Sequence, residues 1–123
     1  MEVLGRHLLL ELGQCDPDLL DNVEFIEDSM VGAARESGAT IIGQSFHKFT
    51  PRGVTCIVAI AESHLCIHTW PEHTYAAVDI FTCGEVFAPD KAAELIIRDL
   101  HCLAPKSTEV KRGIVSSNSA AAV

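Results

Sequence analysis

The sequence predicts an α/β fold, a two-layer sandwich in which a mainly antiparallel sheet carries two helices on one face. Its apolar and turn-forming residues predict the order strand, helix, four strands, helix, strand. The connections between the four middle strands are short, and connections of that length join antiparallel strands. A single sheet with two helices packed against one face forms two layers around one core.

The first strand and the first helix occupy the N-terminal third of the chain. Residues 2–12 are largely apolar and end at Gly13, which predicts a strand. Asp16 and Pro17 supply a capping carboxylate and a proline suited to a first helical turn. The spacing of the apolar residues then predicts one helix over residues 17–37. These residues recur at intervals of four and three: Leu19, Val23, Ile26, Met30 and Ala33.

Four strands, a second helix and a last strand follow. The four strands are predicted at residues 39–49, 54–61, 64–70 and 74–82. Pro89 opens the second helix, and Pro105 blocks its continuation. The apolar face of this helix is formed by Ala93, Ile96, Leu100 and Leu103. A last strand is predicted over residues 107–115, and the small, polar tail 116–123 is expected to be disordered.

Length and composition limit the classes of function. A chain of 123 residues, 48% of them apolar, is long enough for one domain with a real core, here placed at residues 1–115. The net charge of −8 disfavours a nucleic-acid partner, whose phosphates it would repel. The longest apolar run in the middle of the chain has six residues, whereas a membrane-spanning helix needs about 20.

The five cysteines and the N-terminal residues predict a cytoplasmic protein. No secretion signal is apparent, and the odd number of cysteines, with no Cys-x-x-Cys pair, predicts reduced thiols rather than disulfides or a zinc ribbon.

Because a small sheet exposes its strand edges, we expect a homodimer.

The third and fourth middle strands carry the densest group of reactive side chains, and two kinds of site could use them. His64, Cys66 and His68 could contribute to a metal site, but two residues four apart on a strand lie about 13 Å from each other. Cys83, His68 and Asp79 could form a nucleophile, base and orienting carboxylate of a hydrolase. Both patterns arise easily by chance, and no Gly-x-Ser-x-Gly motif accompanies them.

A longer pattern is more specific. Three segments of this region, with shorter matches elsewhere, resemble the prokaryotic S-adenosylmethionine decarboxylase proenzymes over roughly residues 3–103. The three segments are Glu62-Ser63-His64-Leu65, His68-Thr69-Trp70-Pro71-Glu72 and Asp79-Ile80-Phe81-Thr82-Cys83-Gly84. The shorter matches are Leu4-Gly5-Arg6-His7, Glu36-Ser37-Gly38-Ala39-Thr40 and Phe46-His47.

The resemblance implies that the chain makes its own cofactor at Ser63. The Ser63 hydroxyl attacks the carbonyl of Glu62, and the ester formed is eliminated, so the chain breaks between the two residues. A β chain (1–62) and an α chain (63–123) result, and the α chain begins with a pyruvoyl group. That group forms a Schiff base with the substrate amine and takes up the electrons released with CO₂, so neither pyridoxal phosphate nor a metal is expected.

The resemblance also assigns roles to other residues. His68 is the proton acceptor in processing, Thr55 supports it from a position where serine is usual, and Cys83 is the proton donor in catalysis. Because positions 63 and 68 differ by an odd number, an unbroken strand would place them on opposite faces, and a kink at 63–64 is expected.

S-adenosylmethionine is the implied substrate, and its decarboxylated product would donate aminopropyl groups for spermidine. Its adenine, ribose and sulfonium groups suit aromatic and carboxylate side chains. The residues expected to bind it are Phe49, Leu65, Trp70 and Glu72. Two alternatives remain open: a decarboxylase of ornithine or arginine from the same family, and a non-catalytic module that binds a small ligand.

Overall fold

A computed structural model of the chain describes residues 2–84 and 87–116. It contains six strands: β1 (Glu2–Gly13), β2 (Thr40–Lys48), β3 (Val54–Ala61), β4 (Ser63–Trp70), β5 (Tyr75–Thr82) and β6 (Ala104–Val115). It contains three α-helices: α1 (Pro17–Leu20), α2 (Val23–Glu36) and α3 (Pro89–Asp99). A 3-10 turn, Pro71–His73, joins β4 to β5.

The six strands form one sheet in the order β2-β3-β4-β5-β1-β6, and each neighbouring pair within the described ranges is antiparallel. Helix α2 packs against β2, β3 and β4, while α3 packs against β5, β1 and α2. The two-layer α/β sandwich predicted from the sequence is therefore confirmed.

Strand alternation places the core between the sheet and the helices. On β4, Leu65 and Ile67 point into this core and are almost fully buried. Successive side chains of a strand point to opposite faces, so His64, Cys66 and His68 lie on the face that no helix covers. We call this surface the open face. It also carries Leu9 and Ile57, whose side chains are 37% and 43% exposed.

The predicted helix over residues 17–37 is wrong in one respect, because the chain leaves the helical path at Asp21 and Asn22. Asn22 adopts an extended conformation, and its side-chain oxygen accepts a hydrogen bond from the N–H of Phe25 at 3.0 Å. This is N-cap geometry, which starts a new helix rather than continuing the old one. Residues 2–84 and 87–116 therefore contain three α-helices where two were predicted.

The C-terminal boundaries also differ from those predicted. Helix α3 ends at Asp99, so Leu103 lies beyond it and is 79% exposed. Strand β6 begins at Ala104 instead of residue 107 and includes Pro105. An edge strand tolerates proline because a missing N–H there need not break a ladder hydrogen bond. In the tail predicted as disordered, residues 117–123 lie outside the described residues.

All five cysteines carry free thiols. None of the helices within the described ranges combines the length and the apolar character needed to cross a membrane.

Candidate active site

Strands β3 and β4 bring Thr55 and His68 together on the open face. The two residues are directly opposite in the β3–β4 register. The Thr55 hydroxyl lies 3.0 Å from Nδ1 of His68, which is hydrogen-bond distance. This bond fixes the imidazole plane and leaves its second nitrogen, Nε2, available for proton transfer.

A cavity of about 420 Å³ adjoins this pair, and we call it the His68 cavity. Its walls are Phe49, Arg52, Gly53, Thr55, His68, Thr69, Trp70 and Glu72. Phe49 and Trp70 are 46% and 41% exposed, so both rings offer surface to a ligand. The cavity therefore combines two aromatic rings, a carboxylate and a hydrogen-bonded imidazole, which suits a flat, partly cationic ligand.

A second group, the Ser63 cluster, consists of Glu62, Ser63 and Cys83. The N–H of Cys83 donates a hydrogen bond to the carbonyl oxygen of Glu62 at 3.3 Å. Glu62 and Cys83 also line a cavity of about 230 Å³. An N–H that points at a carbonyl oxygen stabilises negative charge there, as an oxyanion hole does.

The backbone is irregular at Ser63, as the sequence predicts for a kink at 63–64. Ser63 has a φ of 145°, a region that favours glycine and strains other residues. Its hydroxyl lies 3.5 Å from Nδ1 of His64, a residue of the open face. The strain falls on the residue whose peptide bond with Glu62 is predicted to break.

The fold of the single chain does not bring the two groups together. Ser63 and His68 are five residues apart on β4, which corresponds to roughly 16 Å of strand. Leu65 is not at either site, because its side chain is completely buried on the helix side of the sheet. Of the four residues expected to bind substrate, the structure therefore gathers three: Phe49, Trp70 and Glu72.

The hydrolase arrangement is not assembled in the chain. Asp79 faces His7 at 3.1 Å, while His68 and Cys83 lie at separate cavities. Burial and the nearby Asp79 carboxylate raise the pKa of the Cys66 thiol to about 11, so this thiol is protonated at neutral pH. Over the described ranges, no three His, Cys, Asp or Glu side chains converge in a way that could hold a metal ion.

Sequence reasoning did not identify Arg52, Gly53 or Thr69 as cavity residues. Gly53 has a φ of 110°, and a Cβ there would lie 3.2 Å from the carbonyl oxygen of Thr69. The contact of Gly53 with Thr69 of β4 depends on the sheet register, which the spacing of residues along the chain does not give.

Comparison with known proteins identifies the family. The model of the S-adenosylmethionine decarboxylase family matches residues 6–113. A protein from Thermodesulfovibrio yellowstonii, named S-adenosylmethionine decarboxylase proenzyme, is 51% identical over 94% of this chain and 86% of its own length. A protein of the same name from Caldanaerobacter subterraneus is 53% identical over 93% of this chain and 92% of its own length.

A solved structure agrees with these matches. The crystal structure of the adenosylmethionine decarboxylase from Aquifex aeolicus superposes with a TM-score of 0.90 at 38% identity. The match covers 95% of this chain and 97% of the other. The chain belongs to the S-adenosylmethionine decarboxylase family.

Proposed function

We propose that the chain is a self-processing enzyme that decarboxylates S-adenosylmethionine through a pyruvoyl group made from Ser63. The observation that carries the proposal is the Glu62–Ser63 junction, where a strained serine follows a carbonyl that is hydrogen-bonded to the N–H of Cys83. The word proenzyme in the names of the relatives supports the same conclusion.

Self-cleavage follows from the groups at this junction. The Ser63 hydroxyl attacks the Glu62 carbonyl, and the Cys83 N–H stabilises the negative charge that develops on its oxygen. The amide nitrogen leaves as an amine, which gives an ester. Loss of the Ser63 α-proton then expels the Glu62 carboxylate and leaves dehydroalanine, which water converts to a pyruvoyl group and ammonia. The products are a β chain (1–62) and an α chain (63–123).

The chemistry of Ser63 fits the cofactor that the family implies. Only a residue with a β-leaving group can be eliminated in this way, and serine provides one after the ester has formed. When present, the pyruvoyl group supplies a keto carbonyl that binds the substrate amine and accepts the electron pair left by CO₂.

His68 and Thr55 need a route to Ser63, and a homodimer provides one. Along β4 of one chain, Ser63 and His68 are roughly 16 Å apart. His68 lies on the open face, and the Ser63 hydroxyl lies beside His64, which is on the same face. Exposed apolar side chains such as Leu9 and Ile57 favour covering this face with a second copy. In the proposed dimer, His68 and Thr55 of one protomer complete the Ser63 cluster of its partner.

In this dimer the side chains have separate tasks. His68, oriented by Thr55, accepts the α-proton that Ser63 loses during cleavage. Cys83 returns a proton to the α-carbon of the substrate after CO₂ leaves. Phe49 and Trp70 stack on the adenine, and Glu72 accepts hydrogen bonds from the ribose hydroxyls. The side chain of Leu65 is buried in the core, so we propose no contact between Leu65 and the substrate.

The proposal extends to the setting of the enzyme. The five free thiols support a reducing compartment, the cytoplasm. The product would serve as an aminopropyl donor for spermidine.

Release of labelled CO₂ tests the proposed activity. The purified protein, after processing, is incubated with carboxyl-labelled S-adenosylmethionine, ornithine or arginine in separate reactions. We expect release from S-adenosylmethionine and much weaker release from either amino acid. Equal or faster release from ornithine or arginine would contradict S-adenosylmethionine as the substrate. No release from any of the three would contradict the proposal that the chain is a decarboxylase.

A further inference from the structure

The break between α1 and α2 contacts the wall of the His68 cavity. The carbonyl oxygen of Leu20 accepts a hydrogen bond from the Thr69 hydroxyl at 2.8 Å. That hydroxyl accepts in turn from the N–H of Val54, also at 2.8 Å. One residue further, the Asp21 carboxylate accepts from the N–H of Gly53 at 2.8 Å. Two of these partners, Thr69 and Gly53, line the cavity.

Asp21 holds both ends of the turn that joins β2 to β3. Its Oδ1 lies 3.0 Å from Nζ of Lys48, before the turn, and also receives the Gly53 N–H at the end of the turn. The Lys48 ammonium also donates to the carbonyl of Phe49 at 2.8 Å. The turn closes on itself through the Phe49 N–H, which donates to the Gly53 carbonyl at 2.8 Å.

The charges around Asp21 agree with this arrangement. The Gly53 N–H, and after it the Lys48 ammonium, hold the pKa of the Asp21 carboxyl below its ordinary value. Asp21 is not itself among the residues that line the cavity. An effect of Asp21 on a ligand must therefore pass through the turn, which supplies Phe49 and Arg52 to the cavity.

We propose that Asp21 is a positioning residue for substrate binding, whose carboxylate fixes the turn from Phe49 to Gly53 against the helix break. The proposal rests on the function proposed above for the His68 cavity. A ring that stacks on a purine must be presented at a defined height and angle. Asp21 supplies this by anchoring the Gly53 N–H, while the Thr69 hydroxyl anchors the neighbouring strand.

The contact to Gly53 predicts which substitutions are tolerated. Asp21→Asn keeps an oxygen at the same distance from the backbone, so the hydrogen bond from Gly53 persists although the charge facing Lys48 is lost. Asp21→Glu keeps the charge but adds a methylene, which displaces the carboxylate from the Gly53 N–H. Asp21→Ala removes both contacts. If charge alone mattered, Asp21→Glu would be tolerated and Asp21→Asn would not, which is the opposite ranking.

Steady-state kinetics of the processed enzyme on S-adenosylmethionine separate these cases. Contacts to the adenosyl end are the same in the ground state and the transition state, so losing them raises KM more than it lowers kcat. We expect KM to rise roughly tenfold in Asp21→Ala and Asp21→Glu, with kcat changed by less than about twofold, and to stay near the parent value in Asp21→Asn. Asp28→Ala, which removes an exposed carboxylate on α2, is the matched control and should behave like the parent.

The same samples report folding and processing. The cleaved fraction and the melting temperature are measured for each variant, and the Gly53 amide is followed by hydrogen exchange. We expect faster exchange at Gly53 in the Ala and Glu variants only. If Asp21→Ala does not fold, Asp21→Glu against Asp21→Asn decides the question. An active parent whose KM is unchanged by Asp21→Glu would overturn this inference alone, whereas a parent inactive on S-adenosylmethionine would overturn the proposed function and the inference together.

Discussion

Thr55 and His68 lie opposite each other on β3 and β4, and the Thr55 hydroxyl is 3.0 Å from Nδ1 of the His68 imidazole. His68 is the residue that we propose as the base in processing. In the described structure, the Thr55 hydroxyl is the only group within hydrogen-bond reach of its Nδ1. Nδ1 is therefore engaged, and Nε2 can take up a proton in the tautomer whose Nδ1–H donates to the Thr55 hydroxyl.

The first prediction concerns this pair. Thr55→Val has nearly the same shape but removes the hydroxyl, so the imidazole loses its orientation. We expect self-cleavage to become roughly ten- to a hundredfold slower. Thr55→Ser keeps the hydroxyl and should cleave at a rate close to the parent's. The rate is measured by following the 123-residue chain on denaturing gels after synthesis. Normal cleavage in Thr55→Val would show that the hydrogen bond has no part in processing.

The second prediction tests whether the site is shared between two protomers. Ser63→Ala cannot cleave its own chain, and His68→Ala lacks the proposed base. When the two variants are co-expressed with distinguishable tags, mixed dimers contain one intact Ser63 and one intact His68 on different chains. We expect the His68→Ala chain to be cleaved in these mixed dimers and the Ser63→Ala chain to remain whole. Each variant expressed alone is the control and should remain largely uncleaved.

If neither chain is cleaved in the mixed sample, the two residues must act within one protomer. That outcome would require β4 to change shape so that residues five apart come together. It would contradict the site shared between two protomers that is proposed above. The chain would still belong to the same family.

The third prediction separates processing from turnover. Cys83 contributes its backbone N–H to the Glu62 carbonyl, and a side-chain substitution leaves this N–H in place. Cys83→Ala should therefore still cleave, at least in part. Turnover should fall by about 10² to 10⁴, the usual cost of losing a positioned proton donor.

The Cys83→Ala enzyme should also inactivate itself. When the α-carbon of the substrate receives no proton, the proton can arrive on the cofactor side, and the amine then stays with the enzyme. The α chain would begin with alanine and gain a free amino terminus, which amine-specific labelling detects. A Cys83→Ala variant that turns over like the parent would instead make Cys83 a packing residue.

Much of the fold could be predicted from the sequence because it follows from short-range patterns. Leu65 and His68 lie on opposite faces of β4, so Leu65, which was expected to bind substrate, is instead completely buried on the helix side. The helix break at Asp21 and Asn22 was missed because the apolar spacing continues through it. The only local signal was Asn22, whose side chain is equally compatible with an exposed helical position.

The site was predicted less completely because its parts meet through long-range contacts. Asp21 and Gly53 are 32 residues apart, and no periodicity relates them. The kink expected at 63–64 was meant to bring Ser63 and His68 together. The backbone at Ser63 is irregular, with a φ of 145°, but His68 still lies roughly 16 Å away along β4.

The fourth prediction concerns acid stability. The Gly53 N–H and the Lys48 ammonium lower the pKa of Asp21, so its ionised form stabilises the folded protein. The stabilisation is complete above the pKa of Asp in the unfolded chain, about 3.9, and is lost as the pH falls through the lower, folded-state value.

Asp21→Asn cannot titrate at this position, so its stability relative to the parent should depend on pH. Urea unfolding of both proteins should give a constant difference in the free energy of unfolding above about pH 5, and the difference should shrink below about pH 4. A difference that grows as the pH falls would contradict the assigned direction of the pKa shift.

The proposed function depends on cleavage of the chain between Glu62 and Ser63 and on conversion of Ser63 into the cofactor. Denaturing mass spectrometry of the purified protein tests it most directly, with Ser63→Ala as the control. We predict two chains of 62 and 61 residues, the second blocked at its N-terminus by a keto group, and an uncut Ser63→Ala chain. An intact 123-residue parent after prolonged incubation, or a second chain that begins with an ordinary serine, would contradict it.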